Sequence, residues 1–388
     1  MTKTNKEKKN KGRFLGPILF VLVSGGMGFA LGFLSGGVLE KFFERYISAP
    51  TWYMEIFNHI KLLFIFIIGY LFHIIIHEGG HLIFGLLSGY SFVSFRVGSL
   101  TLIREDGKFK LKRFNIPGTA GQCLMMPPTI EDGQYPFILY NLGGVLANII
   151  VSLISIIIAI NIKDLTYTKL ILILSSIGGI FAALTNGIPL KIGGISNDAH
   201  NIMTMLKDSD SKKSFYLQLR VNGLLSKGTR IKDIPYKFFK LKEDMDYRNP
   251  LNFSLILINH VYHLDNMDFE RASETLDFGQ DHIDGAILVH KMEIASERMF
   301  LELIGGCDRE KIEDLYDKNL KKYIKASKFM IGKKRLMMAY EAFYNKDRDK
   351  ALKHYEELKD LTKTYPIKGE ADMELMLGQY IKEKMEED

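Results

Sequence analysis

The chain has 388 residues, 47% of them hydrophobic, with 51 Lys and Arg against 45 Asp and Glu. Its two cysteines, Cys123 and Cys307, lie too far apart in sequence for a small disulfide-stapled scaffold, and the apolar content excludes wholesale disorder. Residues 1–200 carry 18 basic and 11 acidic side chains among long apolar runs, whereas residues 201–388 carry 33 and 34, so the chain reads as a membrane half followed by a soluble half.

In chain order, residues 1–13 hold six Lys or Arg against one Glu and form a basic, cytosolic amino terminus. Residues 14–39 are apolar and uncharged. About 20 such residues cross a bilayer. The stretch is longer than the core of a signal peptide and no A-x-A-like site follows it closely, so it is expected to be an uncleaved anchor. Gly28, Gly32 and Gly36 give it a face that another helix can approach. Further spans are predicted at about 57–87, 136–160 and 168–190. Basic loops stay in the cytosol, so four crossings return the carboxyl-terminal half to that side, as expected for a multi-pass plasma-membrane protein embedded in the lipid bilayer. The loop after the second span falls on the same side and holds Arg96, Arg104, Lys108, Lys110, Lys112 and Arg113. Within it, VGSLTLIRE and KFKLKRFNI flank Asp106-Gly107, a strong hairpin signal. A β-hairpin is predicted over 91–116, followed by a Gly- and Pro-punctuated stretch.

The chemistry centres on His77-Glu78-Gly79-Gly80-His81. On a helix, His77 and His81 stand one turn apart and point nearly the same way, so both imidazoles can reach one Zn²⁺, with Glu78 on the adjacent flank as a base for water. An ionisable residue at the centre of a membrane helix costs on the order of 2.5–3.5 kcal/mol, and a divalent cation compensates for Glu78 in a way that a bland polar core does not. His73 extends the stripe by one turn and reads as a packing or supporting histidine; His59 reads as interfacial. A catalytic zinc usually has three protein ligands and a water. After the fourth span, Pro189, Gly193 and Gly194 allow the chain to fold back, which offers Asp198 or His200 as the third ligand.

HEGGH in an early span, then Asn186-Gly187-Ile188-Pro189 leading to Asp198 in a later segment, resembles the site-2 protease family of intramembrane zinc metalloproteases. Gly144-Val145-Leu146-Ala147-Asn148 is similar to that family's G-P-x-x-N segment, with Val145 in place of proline. The resemblance covers roughly residues 55–205. It implies zinc held by His77, His81 and Asp198, Glu78 as general base, and Asn186 and Asn148 as supports for the substrate or oxyanion. It also implies a transmembrane or membrane-inserted peptide substrate, cut near the cytosolic face after local unwinding. The hairpin at 91–116 can hold an unwound strand by edge pairing. The membrane domain is thereby bounded at 14–205.

From about residue 211 the chain is charged and helical in period. GTRIKDI, MDFERAS, CDREKIE and DRDKALK recur so that Ile231, Ala272, Ile312 and Ala351 are equivalent, at steps of about 40 residues, the mark of stacked helix pairs. The last unit, with Ala339, Phe343, Lys350-Ala351-Leu352 and Pro366, resembles a tetratricopeptide repeat. The fold class is therefore all-α: a polytopic helical membrane domain with a small cytosolic-side hairpin, then a cytosolic helical-repeat domain at 211–388 that takes a peptide or protein partner. Its near-zero net charge argues against a nucleic-acid-binding module, and Lys333-Lys334-Arg335 reads as a solvated face or membrane-surface contact. The leading expectation is an intramembrane zinc endopeptidase. The alternative is a non-catalytic membrane adaptor with a structural metal site. A metal transporter is disfavoured, because from Pro136 to Ile160 and from Leu170 to Leu190 no charged residue appears before Lys191.

Overall fold

The computed structural model describes residues 38–387, leaving out 106, 115–118, 130–133 and 193. The basic terminus at 1–13 and, up to residue 37, the expected first span with its three spaced glycines lie outside the described residues. The chain divides into two compact units: one takes the chain up to Gly89 together with Pro136–Thr204, the other Tyr90–Tyr135 with Met205–Asp388.

In the first unit, α1 (Val38–Tyr46) precedes α2 (Trp52–Leu87), α3 (Phe137–Asn161) and α4 (Tyr167–Gly187). Among the described residues, α2, α3 and α4 are the helices long and apolar enough to cross a membrane. At 1.5 Å per residue, the 36 residues of α2 extend about 54 Å, more than the roughly 30 Å of hydrocarbon. Phe57, Phe64 and Leu71 of α2 and Ile150, Ile154 and Ile157 of α3 are exposed. A water-soluble bundle avoids so much contiguous apolar surface, whereas a lipid-facing one needs it. Trp52 and Tyr53 open α2 with the aromatic character of a membrane interface. α2 begins five residues before the expected boundary. α4 stops at Gly187, short of the expected 190, because a residue before proline is pushed out of helical conformation; Ile188 is extended, with φ −93° and ψ 127°. Beyond it, the two-residue strands β5 (Lys191–Ile192) and β6 (Ile195–Ser196) pair antiparallel and lead into α5 (Asp198–Lys207).

The second unit begins with a sheet richer than the expected hairpin. Strands β1 (Ser91–Val97), β2 (Leu100–Glu105), β3 (Lys108–Arg113) and β4 (Gly121–Met126) form an antiparallel sheet in the order β3-β2-β1-β4. The predicted turn joins β2 to β3, with Glu105 opposite Lys108 and Gly107 at φ 78°. A second turn at Gly98 splits the run taken as one strand, and β4 arises inside the stretch read as loop. Although sequence bounds placed this loop in the membrane domain, the sheet packs with the carboxyl-terminal helices. Phe114 joins a buried cluster with Ile331, Leu358 and Tyr365. Lys112 Nζ donates to the Tyr365 carbonyl at 3.0 Å, and Lys368 Nζ pairs with Glu105 at 2.9 Å.

The remaining helices are α6 (Ser209–Ser226), α7 (Pro250–Asp265), α8 (Phe269–Asp281), α9 (Leu288–Gly305), α10 (Arg309–Leu315), α11 (Lys318–Ala326), α12 (Ile331–Ala339), α13 (Arg348–Thr364) and α14 (Lys368–Glu387). Three of the recurring stretches adopt one local structure. Met267, Cys307 and Lys346 are left-handed, at φ 59°, 51° and 55°. Each is followed by an aspartate, Asp268, Asp308 or Asp347, whose side chain accepts from backbone N–H groups of the next helix. Such a cap satisfies donors that a helix start leaves unpaired. Ala272, Ile312 and Ala351, four residues after each cap, are all fully buried, and Ile231 is 2% exposed.

Candidate metal centre

His77 and His81 lie on α2 one turn apart, with their Nε2 atoms 3.1 Å from each other. The fold-back through β5 and β6 brings in Asp198 at the start of α5. Its Oδ2 stands 3.1 Å from His77 Nε2 and 3.5 Å from His81 Nε2. Three donors at about 2.05 Å from a tetrahedral ion stand about 3.3 Å apart, so these separations fit one Zn²⁺-sized cation with a fourth position open. Asp198 Oδ2 is buried and has no hydrogen-bond partner despite the two nearby nitrogens. The three groups therefore point at a common centre rather than at each other.

The supporting contacts orient the donors. His81 Nδ1 meets the Tyr140 carbonyl at 2.8 Å. A carbonyl only accepts, so Nδ1 carries the proton and neutral His81 turns its Nε2 lone pair to the centre, the usual arrangement behind a metal-bound histidine. Asn148, fully buried on α3, touches His77 Nδ1 at 3.4 Å and His73 Nδ1 at 3.0 Å through the two ends of its amide. His73 is thus a buried supporting residue, one contact removed from the centre. Close helix packing makes this possible. A Cβ on Gly80 would lie 2.2 Å from the Gly143 carbonyl oxygen, so α2 and α3 meet backbone to backbone beside the histidines. Glu78 is half-buried beside His77.

Of the residues singled out from sequence, His77, His81 and Asp198 converge, and Asn148 supports them. Asn186 directs its amide to its own helix, donating to the Ala182 carbonyl at 3.0 Å. His200, the other candidate ligand, has its Nδ1 3.2 Å from Thr204 Oγ1, and the group of possible ligands among the described residues is His77, His81 and Asp198. Asn197 was not foreseen. Its Oδ1 accepts from Leu190 N at 3.1 Å and His200 N at 2.9 Å, and its Nδ2 donates to the Thr185 and Ile188 carbonyls at 2.7 and 2.6 Å. It ties the end of α4 to the start of α5 and so sets where Asp198 emerges. The signal was an Asn immediately before a helix. Comparison with known protein families, with curated proteins and with solved structures finds no match for this chain.

Proposed function

We propose that this protein is an intramembrane zinc endopeptidase of the site-2 protease kind, which hydrolyses a peptide bond of a membrane-spanning or membrane-inserted substrate near the cytosolic face. The convergence of His77, His81 and Asp198 carries this reading, since two imidazoles and a carboxylate at those separations make a donor set for Zn²⁺. When bound there, zinc supplies Lewis-acid activation of water and of the scissile carbonyl. Glu78 takes the proton of the attacking water and returns it to the leaving amine. The Tyr140 carbonyl and Asn148 hold the imidazoles in position. The carboxyl-terminal helices are read as a tetratricopeptide-like array for a peptide or protein partner, on the cytosolic side of the plasma membrane with the amino terminus.

Exposed Phe109 and Leu111, two residues apart on the edge strand β3, give the sheet an apolar face for strand addition by an unwound substrate. Replacing both by Ser is expected to lower cleavage, and unchanged cleavage would remove this role. The main test pairs metal analysis of purified protein with cleavage of a panel of co-expressed single-span reporters. His77→Ala and Asp198→Ala should lose both metal and cleavage. Glu78→Gln should keep about one zinc per chain and lose cleavage. Retained metal in Asp198→Ala would overturn the ligand set, and retained cleavage in Glu78→Gln would overturn the mechanism. If the wild type carries zinc but cleaves no reporter, the membrane adaptor becomes the better reading.

A further inference from the structure

Within the carboxyl-terminal unit, α6, α7, α9, α12 and α14 enclose a cavity of about 270 Å³. Leu257, Val261 and Leu264 of α7 give it an apolar wall. Its polar lining is rich in carboxyl groups: Glu293, Glu297, Glu370 and Glu374 share it with two permanent cations, Lys333 and Arg335, and with His260, whose Nε2 stands 3.5 Å from Glu297. Both cations are engaged. Lys333 Nζ pairs with Glu293 at 2.8 Å, and Arg335 pairs with Glu297 at 2.8 Å and Glu374 at 2.6 Å. Glu370 receives the Tyr365 hydroxyl at 3.0 Å and has no ion pair among the described residues. Burial, reinforced by Glu374, pushes its carboxyl up to about 8. Arg335 is 1% exposed, yet its Nη1 has no acceptor.

Burial keeps the Glu370 carboxyl protonated unless a further cation joins it, and a buried guanidinium N–H without an acceptor costs free energy. A ligand that supplies the missing partners satisfies both groups. Inorganic anions meet four carboxyl groups, and polyamines bring cations but no acceptor. A peptide amino terminus carries an ammonium, a carbonyl oxygen in the same residue and a side chain. We propose that this cavity binds the free amino-terminal residue of a peptide, its ammonium at Glu370, its carbonyl oxygen at Arg335 Nη1 and its apolar side chain against α7. The inference identifies a site for the peptide partner and does not depend on the protease reading.

The test uses the full chain in detergent micelles and calorimetric binding of three probes: leucyl-leucine amide, its N-acetylated form and hexylamine. The free-amine dipeptide is expected to bind, with acetylation and the change to hexylamine each weakening binding by roughly tenfold or more. Glu370→Gln, nearly isosteric, should weaken the dipeptide by a similar factor while keeping a cooperative melt. Equal binding of the acetylated peptide or of hexylamine would overturn the proposal. So would absence of dipeptide binding at about 10 mM, well above the Kd range of a specific site, or unchanged affinity in folded Glu370→Gln. Should that variant not fold, the three probes on the wild-type chain decide alone.

Discussion

Gly144 shows how little room surrounds His77. A Cβ there would lie 2.4–2.6 Å from three atoms of the imidazole ring, so even alanine must displace the ring or separate α2 from α3. Gly144→Ala is therefore expected to lower zinc affinity by roughly tenfold to a hundredfold, in the range found when groups that orient a metal ligand are lost. Metal titration of the purified variant checks this, with far-UV circular dichroism to verify that the helices persist. Wild-type affinity would mean that His77 does not ligate. The histidine pair was legible because i and i+4 on a helix is a geometric statement about two residues. The glycines were less so. Gly80 carries no signal of its own in the sequence, yet it faces Gly143 across the helix contact, and that role depends on a residue more than sixty positions away.

At the scale of elements, the fold-back after α4 accounts for the spacing between Pro189 and Asp198. Eight residues lie between them, and the short β5–β6 pair takes most of them up before α5 begins. Gly194 makes its turn at φ 89°. Asn197 holds this arrangement through four hydrogen bonds, so Asn197→Ala should let Asp198 drift from the histidines. The expected result is a loss of bound zinc of roughly tenfold or more, with His77 and His81 untouched in sequence. Asn197→Asp keeps the two acceptor contacts and loses the two donor ones, and should fall between. Equal zinc affinity in all three proteins would show that Asp198 is placed by other contacts. The three long apolar helices and the β2–β3 hairpin were legible because apolar length and an Asp-Gly turn are local signals. Strand β4 was not, since GQCLMM carries no β-branched residue and becomes a strand only by pairing with β1.

At the scale of the whole molecule, the contrast between an apolar half and a charged half was plain in composition. What composition could not give was the interleaving, in which Tyr90–Tyr135 joins Met205–Asp388. That assignment depends on contacts between residues some 250 positions apart. Glu105 is the clearest of these. Its carboxylate gathers Lys110 at 3.1 Å and Lys112 at 3.4 Å from the neighbouring strand and Lys368 at 2.9 Å from α14. The Lys368 contact, against a smaller opposing effect of burial and with help from the other two lysines, holds the Glu105 carboxyl down to about 2. An acid whose folded pKa is depressed stabilises the fold fully above its unfolded value and loses that contribution as pH falls towards the folded value. The tie should therefore be intact at neutral pH and weaken from about pH 4.5 down to about pH 2. Glu105→Gln is expected to cost about 1 kcal/mol at neutral pH, allowing for solvent screening. That corresponds to a melting temperature lower by about 2–4 °C for the carboxyl-terminal unit. The gap between variant and wild type should shrink steadily between about pH 4.5 and pH 3, as the wild type takes up the proton that the variant never binds. Melts of both proteins across that range, followed by limited proteolysis of the loop between Gly89 and Pro136, provide the check. A gap that stays constant over the range would mean that the Glu105 carboxylate does not tie the sheet to the helices.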